Sequence, residues 1–379
     1  MAAFFRSETP PLPAPINSEQ TITSTSNAFR RSSLERIAKE TFTAIGEGGY
    51  SYKRVFRDLT EAVKEAVSKT VYYSPNSSIK RWASSTKPNL THSLPAHFSI
   101  LHITTLDAAR LLDNVNKNDP FHQERIGILN FASPINRGGD FKYGAESQEE
   151  FIVRSSTLYH ALKADEAQKF YKLHTCKNAA VNGYYSHGMI YSPNICIFRD
   201  DDGNWTYPFL VDVLSCSAVN AGEVRKANGF ITLGLEVEIE KEMSERMGRI
   251  LYLFECKGVR NIILGAFGTG VFGISVATVA RIWAHLLLLP EARFKKSFDR
   301  VVFAITGEEN FTDFQSAFNA WGQPRAAGLG TSSESNRSSA SDRLGLASAS
   351  SHQLARSGYL QPSPSVWLEM AHGPGLDRP

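Results

Sequence analysis

The stretch NFASPINRGGDFKYGAESQEEF, Asn130 to Phe151, joins a strand-like run to a helix-like run. The run that leads into it, RIGILNF, is short and continuously apolar, and FIVRSSTLYHAL follows it with apolar residues at helical spacing. Between them lie two adjacent glycines, Gly138 and Gly139, and two adjacent carboxylates, Glu149 and Glu150. Connections of this kind, from the end of a strand to the start of a helix, are where open α/β sheets bind their ligands.

Length and composition are typical of a globular protein and exclude several classes. The chain has 379 residues, 42% hydrophobic and 21% charged, and its net charge of +3 is too small to indicate nucleic-acid binding. The four cysteines form no Cys-x-x-Cys pair, so a zinc site is not predicted. The sequence contains no apolar run of membrane-span length and no apolar signal-peptide region. We therefore expect a nuclear or cytoplasmic protein that binds neither nucleic acid nor membrane.

Composition divides the chain into three segments. Residues 1–28 are rich in Pro, Ser and Thr, and residues 323–379 are rich in Ser, Gly and Ala, so both are predicted to be disordered. Between them, 29–322 alternates helical patterns with short, continuously apolar runs, which are typical of strands buried on both faces. This alternation predicts a single α/β domain, a three-layer sandwich. Two of the predicted helices span 59–73 and 148–163.

Two glycine-rich loops are predicted at the carboxyl ends of strands. One is INRGGDFKYGAESQEE, and the other is GAFGTGVFG, Gly265 to Gly273. Glycine allows backbone N–H groups to approach an anion closely, so two such loops facing one cleft could hold a diphosphate. The alternative for each loop is a tight turn that needs a positive φ. Neither loop matches a P-loop or a dinucleotide fingerprint, so the diphosphate need not belong to ATP or NAD.

The adjacent carboxylates allow two interpretations. On a helix, neighbouring side chains diverge by about 100°, so Glu149 and Glu150 could reach a bound sugar from two directions. One could hold ribose hydroxyls as an ionised acceptor, and the other, if desolvated, could act as a general acid with a raised pKa. Alternatively, Gln148, Glu149 and Glu150 simply interact favourably with the dipole at a helix N-terminus.

These residues resemble a known family, the microbial-type poly(ADP-ribose) glycohydrolases. The signature of that family is Gly-Gly-Gly, a short spacer and Gln-Glu-Glu, and the chain matches it at Gly138, Gly139 and Gln148-Glu149-Glu150. Four other segments are similar to the family as well: RRSSLERIAKETFTAI, IYSPNICIFRD, ILGAFGTGVFG and FDRVVFAI. The resemblance covers roughly residues 29 to 322.

The resemblance implies a macrodomain-like fold, a three-layer α/β/α sandwich with a mixed central sheet. It also implies hydrolysis of the ribose–ribose O-glycosidic bonds of poly(ADP-ribose). Glu150 would be the catalytic acid and base, Glu149 would bind ribose hydroxyls beside the scissile bond, and Gln148 would help to hold the loop. The residues implied at the diphosphate and the distal ribose are Asn130, Gly138, Gly139, Gly268, Thr269, Gly270, Val271 and Phe272.

The same resemblance implies the partners. Poly(ADP-ribose) or ADP-ribosylated proteins would be the substrate and ADP-ribose the product, with no metal and no cofactor. We expect the protein to be a monomer.

Asp140 departs from the signature, because it stands where the third glycine would be. Its side chain adds bulk and a negative charge near the expected diphosphate. Two functions are therefore retained from the sequence: an active glycohydrolase, and a macrodomain that binds ADP-ribose but turns it over slowly or not at all.

Overall fold

The computed structural model describes residues 18–85, 96–118, 124–175, 183–229 and 234–322. Ten α-helices lie in these ranges: α1 Ser18–Gly46, α2 Thr60–Lys69, α3 Thr105–Asn118, α4 Gln148–Arg154, α5 Leu158–Leu162, α6 Asp165–Thr175, α7 Ala221–Asn228, α8 Leu235–Cys256, α9 Val276–Leu287 and α10 Glu308–Gly322. The same ranges contain nine strands: β1 Gly49–Tyr52, β2 Val55–Asp58, β3 Val71–Tyr73, β4 His97–Leu101, β5 Ile126–Phe131, β6 Met189–Arg199, β7 Trp205–Cys216, β8 Asn261–Leu264 and β9 Arg300–Ala304. Two short 3₁₀ helices, Ser78–Arg81 and Phe141–Tyr143, complete the described elements.

Seven strands form one mixed sheet in the order β3-β6-β7-β5-β8-β9-β4, and β1 and β2 form a separate hairpin. Strands β7, β5, β8, β9 and β4 are parallel to one another, whereas β6 is antiparallel to both β3 and β7. The carboxyl ends of β5, β7 and β8 therefore meet at one edge of the sheet. The mixed α/β architecture predicted from the sequence is confirmed.

Each face of the sheet is covered by its own apolar core. Adjacent strand residues point to opposite faces: Ile128 packs against α3 to α6, while Leu129 packs against α8 to α10. The same division separates Val302 from Phe303 on β9. Because both faces are buried, the central strands are continuously apolar, as expected for a sheet between two helical layers.

Two predictions on the N-terminal side were wrong in their limits. Residues 1–28 were predicted to be disordered, but α1 begins at Ser18. The last proline of that region is Pro15, so nothing after it prevents a helix. The helix predicted over 59–73 ends at Lys69, and Val71–Tyr73 forms an edge strand on β6. Its β-branched and aromatic residues favour extended backbone. Residues 1–17 and the predicted disordered tail 323–379 lie outside the described residues.

The helix predicted over 148–163 is interrupted at Ser155, Ser156 and Thr157, which separate α4 from α5. Their backbone pairs with β6 instead: Phe198 N–H donates to Ser155 O at 3.0 Å, and Thr157 N–H donates to Cys196 O at 3.0 Å. Serine and threonine compete for backbone hydrogen bonds in this way and weaken a helix interior. The interruption fixes α4 as a short helix whose N-terminus lies at the ligand edge of the sheet.

In the part of the chain that the structure describes, no helix is both long enough and apolar enough to cross a membrane.

Candidate active site

The carboxylates lie at the first turn of α4, beside the end of β5, and Gln148 fixes this position. Its side chain Nε2 donates to Leu129 O at 2.8 Å, and its Oε1 accepts from Phe131 N–H at 2.8 Å. The amide therefore pairs with the backbone of β5 as another strand would. A second donation from Nε2 reaches Thr105 Oγ1 at 3.1 Å and connects the start of α3 to the same point.

Glu149 is buried behind the first glycine loop, with 1% of its surface exposed. Ser133 N–H donates to its Oε2 at 2.7 Å, and Asn130 Nδ2 donates to its Oε1 at 3.2 Å. Burial raises the pKa of Glu149 to about 8, against the opposing effect of the hydrogen bonds from Ser133, Asn130 and the Gly138 N–H. At neutral pH this side chain is therefore largely an uncharged carboxylic acid.

Glu150 completes a capping box at the N-terminus of α4. Its carboxylate accepts from Ser147 N–H at 3.1 Å and from the Ser147 hydroxyl, and Asp140 N–H donates to its Oε1 at 3.1 Å. Ser147-x-x-Glu150 is the Ser-x-x-Glu pattern of such a box. This pattern is visible in the sequence, although the box was not predicted from it.

The paired glycines are explained by these carboxylates. Gly138 has a φ of 73° and Gly139 a φ of 61°, a region in which other residues are strained. A Cβ atom at Gly139 would lie 2.1 Å from Glu150 Oε1, and one at Gly138 would lie 3.0 Å from a methyl of Val153. The turn must therefore be made of glycine so that the backbone can wrap closely around Glu149 and Glu150.

Asp140 fits the loop without strain. Its φ is −101°, which lies outside the left-handed region, so this position does not require glycine. Its side chain is exposed, and its Oδ1 accepts from Asn136 Nδ2 at 3.1 Å. Asp140 contributes to the site through its backbone N–H, which donates to Glu150. Arg137 does not neutralise it, because that guanidinium binds Gln168 and lies over the ring of Tyr171.

The second glycine loop follows β8, the neighbour of β5, so the two loops begin side by side. The ring of Phe131, the last residue of β5, is 5.4 Å from that of Phe267 in the second loop. Gly268 has a φ of 85°, and a Cβ atom there would lie 2.7 Å from Ala218 Cβ. Thr269 is held by its hydroxyl, which donates to Ala266 O at 2.9 Å.

The tip of this second loop offers unused donors. Among the described residues, the N–H groups of Gly270, Val271 and Phe272 have no hydrogen-bond acceptor. Val271 is 97% exposed, and Gly270 has no atom within 4 Å of a Cβ placed on it. Successive free N–H groups at a strand's carboxyl end are the arrangement that binds an anion. In the first loop, by contrast, the N–H groups of Ser133, Gly138 and Asp140 are used by the carboxylates.

Two further residues have positions that the sequence did not indicate. Asn130 is completely buried, and its Nδ2 donates to Ser215 Oγ at 2.9 Å as well as to Glu149. It therefore contacts Glu149 here, and a direct contact with a ribose stays a prediction. The ring of Phe272 lies 6.1 Å from that of Tyr185, a residue that no motif singled out.

The described residues contain no group of three or more His, Cys, Asp or Glu side chains placed to hold a metal ion. Within the described chain, the site is thus built from carboxylates, an amide and backbone N–H groups.

Comparison with known proteins agrees with this geometry. Residues 38–200 match the family described as "Microbial-type PARG, catalytic domain". Comparison with curated proteins gives no match.

Among solved structures, poly(ADP-ribose) glycohydrolase from Thermomonospora curvata is 31% identical, with a TM-score of 0.66. The alignment covers 77% of this chain and 100% of that one. The same enzyme bound to the inhibitor ADP-HPD is also 31% identical, with a TM-score of 0.65 over 76% of this chain and 99% of that one. The Deinococcus radiodurans enzyme in complex with ADP-ribose is 27% identical, with a TM-score of 0.58 over 68% of this chain and 96% of that one.

The buried Gln-Glu-Glu start of α4, its glycine loop and this similarity along the whole length of a bacterial enzyme lead to one conclusion: the chain belongs to the microbial-type poly(ADP-ribose) glycohydrolases.

Proposed function

We propose that this protein hydrolyses the ribose–ribose O-glycosidic bonds of poly(ADP-ribose) and releases ADP-ribose, with Glu150 as the general acid and base. The observation that carries the proposal is the contact between the glycine loop and the carboxylates. Asp140 N–H donates to Glu150, the Gly138 N–H interacts with Glu149, and only glycine at position 139 leaves room for Glu150. A ligand that touches this loop is therefore placed beside both carboxylates.

Binding is divided between the two loops. The free N–H groups of Gly270, Val271 and Phe272 would receive the diphosphate, and Gly268 and Thr269 give that loop its shape. Gly138 and Gly139 would pass close to the diphosphate on the other side. The ring of Phe272 would pack on the distal ribose, and Asn130 would act chiefly by positioning Glu149.

Glu149 would bind the ribose hydroxyls next to the scissile bond. Because its pKa is raised to about 8, it is mostly protonated at neutral pH and can both donate to one hydroxyl and accept from another. The raised pKa therefore belongs to the carboxyl that was expected from the sequence to hold ribose in its ionised form.

Glu150 would first protonate the leaving ribose oxygen while the bond to the anomeric carbon breaks. The anomeric carbon then has oxocarbenium character, which the substrate's own diphosphate helps to stabilise. Water attacks this carbon and gives its proton to Glu150, which restores the acid. The Ser147 hydroxyl can donate or accept, so it can accompany Glu150 through both forms. This scheme differs from the common two-carboxylate glycosidases, because one carboxyl performs both proton transfers.

A domain that only reads ADP-ribose is not favoured. That alternative depended on Asp140 disturbing the loop, and Asp140 has a relaxed backbone and an exposed side chain. The substrate would be poly(ADP-ribose) or ADP-ribosylated proteins. That the protein acts as a monomer, in the nucleus or the cytoplasm, stays a prediction.

The test compares Glu150→Gln with the wild type in two assays: release of ADP-ribose from poly(ADP-ribose), and calorimetric binding of ADP-ribose. We expect kcat to fall by roughly 10²- to 10⁴-fold, the usual contribution of a general acid. The Kd for ADP-ribose should stay within about threefold, because neither loop loses a phosphate donor.

Glu146→Gln is the matched control, since Glu146 is an exposed carboxylate four positions away that pairs with Arg30. It should leave both measurements unchanged. If Glu150→Gln retained activity while Glu149→Gln lost it, the roles of the two carboxylates would be reversed. If the wild type released no ADP-ribose from poly(ADP-ribose), the proposed activity would be wrong, whatever the variants bind.

A further inference from the structure

Arg154 is a buried arginine on the helix that carries Glu150. It lies four positions after Glu150 on α4, so the two side chains are on the same face of that helix. Long side chains on a helix point back toward its N-terminus, and Arg154 therefore extends toward the first turn of α4. Only 2% of Arg154 is exposed. Arginine is rarely buried to this degree unless it has an ion-pair partner, so its presence here needs an explanation.

The guanidinium of Arg154 contacts the inner side of the loop that encloses Glu150, residues 140–147. Its Nη1 donates to Ala145 O at 2.6 Å and to Phe141 O at 3.4 Å. One nitrogen atom thus joins the two halves of this loop from within. The main chain of Arg154 is fixed as well, because the Thr41 hydroxyl on α1 donates to Arg154 O at 2.7 Å.

Both carbonyl groups are next to the residues that bind Glu150. Phe141 follows Asp140, whose N–H donates to Glu150 Oε1 at 3.1 Å. Ala145 comes two residues before Ser147, whose N–H donates to Glu150 Oε2 at 3.1 Å and whose hydroxyl binds the same oxygen. A shift of either carbonyl group would therefore change the orientation of the carboxylate.

The 140–147 loop has other anchors, so Arg154 is not needed simply to fold it. The Phe141 side chain is 2% exposed, and its ring lies 5.5 Å from that of Phe42 and 5.0 Å from that of Tyr159. An uncharged side chain at position 154 could fill the same space beneath the loop. What arginine adds is a positive charge and a donor at a fixed place.

This positive charge has little other compensation. In the part of the chain that the structure describes, Arg154 forms no ion pair, and its Nη2 is buried without a hydrogen-bond partner. The ring of Phe151 lies 4.9 Å from the guanidinium. Burial lowers the pKa of Arg154 to about 10, while the negative charges of Glu150 and Glu146 act in the opposite direction, so it is a cation at neutral pH. Glu150 has the larger of these two effects, and Glu146 is already paired with Arg30.

We propose that Arg154 is a positioning residue for the hydrolysis: it orients Glu150 through the 140–147 loop and keeps a positive charge behind it while protons are exchanged. The inference rests on the proposed function, since it acts through Glu150. When Glu150 gives its proton to the leaving ribose oxygen, a negative charge appears on a carboxyl that is 6% exposed. A cation already in place stabilises that charge without reorganisation, which is how fixed charges accelerate a reaction.

The proposal predicts an effect on the chemical step and not on ligand binding. The free N–H groups at Gly270, Val271 and Phe272 belong to the second loop, which Arg154 does not contact. Loss of Arg154 should therefore lower kcat and leave the affinity for ADP-ribose unchanged.

The experiment compares Arg154→Met and Arg154→Lys with the wild type, each as the full chain. The measurements are kcat and KM for release of ADP-ribose from poly(ADP-ribose), and the calorimetric Kd for ADP-ribose. Methionine fills much of the same space without charge or donor, whereas lysine keeps the charge but ends one bond short of Nη1. We expect kcat to fall at least about 100-fold in Arg154→Met and about tenfold in Arg154→Lys, with Kd within about threefold of the wild type.

Arg249→Met is the matched control. Arg249 is also a buried arginine late in a helix, and its Nη1 donates to a main-chain oxygen, Pro75 O, at 2.7 Å, but it does not contact the 140–147 loop. Its loss should lower Tm and leave kcat within about threefold.

An arginine with a purely structural role would give a different pattern. The proposal is overturned if folded Arg154→Met keeps a kcat within about threefold of the wild type, if Kd rises in proportion as kcat falls, or if Arg249→Met loses as much kcat. Should Arg154→Met not fold, Arg154→Gln takes its place, because it keeps an N–H donor without the charge, and a kcat equal to that of the wild type would again overturn the proposal. If the wild type itself released no ADP-ribose, the proposed function would fail and this role with it; an active wild type beside an equally active Arg154→Met contradicts this inference alone.

Discussion

Replacing Glu149 by glutamine should change how the stability of the protein depends on pH. The carboxyl has an ordinary pKa of 4.5 and a pKa of about 8 in the folded protein, because burial disfavours its charged form. Between these two values the folded protein keeps a proton that the unfolded chain releases. The stability from this group is therefore fully present below about pH 4.5 and is lost as the pH rises through about 8. The glutamine side chain of the variant would not titrate at all.

The size of the effect follows from how steeply the free energy of unfolding changes with pH. Within this window the wild type loses about 1.4 kcal/mol per pH unit relative to the variant, so about 3 kcal/mol between about pH 5.5 and pH 7.5. For a domain of this size, ~1 kcal/mol changes Tm by about 2 °C. We therefore expect the Tm of Glu149→Gln minus that of the wild type to increase by about 6 °C over these two pH units. A constant offset from imperfect hydrogen bonding of the introduced amide does not affect this difference.

Thermal unfolding followed by circular dichroism at several pH values measures the effect directly. Glu47→Gln is the matched control, because Glu47 is exposed and its removal should leave the pH dependence of Tm unchanged. If the difference in Tm between Glu149→Gln and the wild type were the same at every pH, Glu149 would be ionised throughout. The assignment of a neutral Glu149 at pH 7 would then be refuted.

Three other substitutions give distinct expectations. Gly139→Ala should lower the rate of ADP-ribose release at least 100-fold and Tm by several degrees, since its Cβ would lie 2.1 Å from Glu150 Oε1. Gly46→Ala, at the end of α1, meets no atom within 4 Å and is the control for both assays; equal effects of the two substitutions would contradict the contact. Asp140→Gly should keep the release rate within about threefold and lower the free energy of unfolding by about 0.5–1 kcal/mol in denaturant titrations, because its φ of −101° suits any residue; a large gain in activity would show that the aspartate impairs the site. Gln148→Ala should lower the free energy of unfolding by about 1–3 kcal/mol, because two backbone groups of β5 lose their hydrogen-bond partner. An unchanged denaturation midpoint would show that Gln148 does not hold α4 to β5.

The sequence was sufficient for the main architecture, whereas the roles of the predicted site residues stay predictions. Continuous apolar runs such as RIGILNF identified the central strands, because a strand covered on both faces has no polar side. The glycine pair and the adjacent carboxylates were recognisable as one unit through their order and spacing. Their roles were less accessible, since the sequence does not reveal that the N–H groups of the first loop are used by Glu149 and Glu150.

Other features depend on contacts between segments distant in sequence. The interruption after Arg154 arises because Ser155 and Thr157 bond to β6, some 40 residues further along the chain. The β1–β2 hairpin was not predicted, because its turn contains Lys53 and Arg54 where a hairpin normally shows Asn-Gly. The raised pKa of Glu149 likewise results from burial that only the assembled fold creates.

The capping box formed by Ser147 and Glu150 has a consequence for how this family can change over time. Loss of such a cap costs a protein about 1 kcal/mol, so selection for a stable fold would preserve Glu150 even in a descendant that no longer needed the reaction. A Gln-Glu-Glu motif can therefore be retained for the stability of the fold as well as for activity. Gly270 and Val271, at the exposed tip of the second loop, do not contribute to packing. These residues would therefore be substituted first in a lineage that is no longer selected for ligand binding. Divergence at that tip, with Glu150 intact, is the mark to look for in a lineage that has lost the activity.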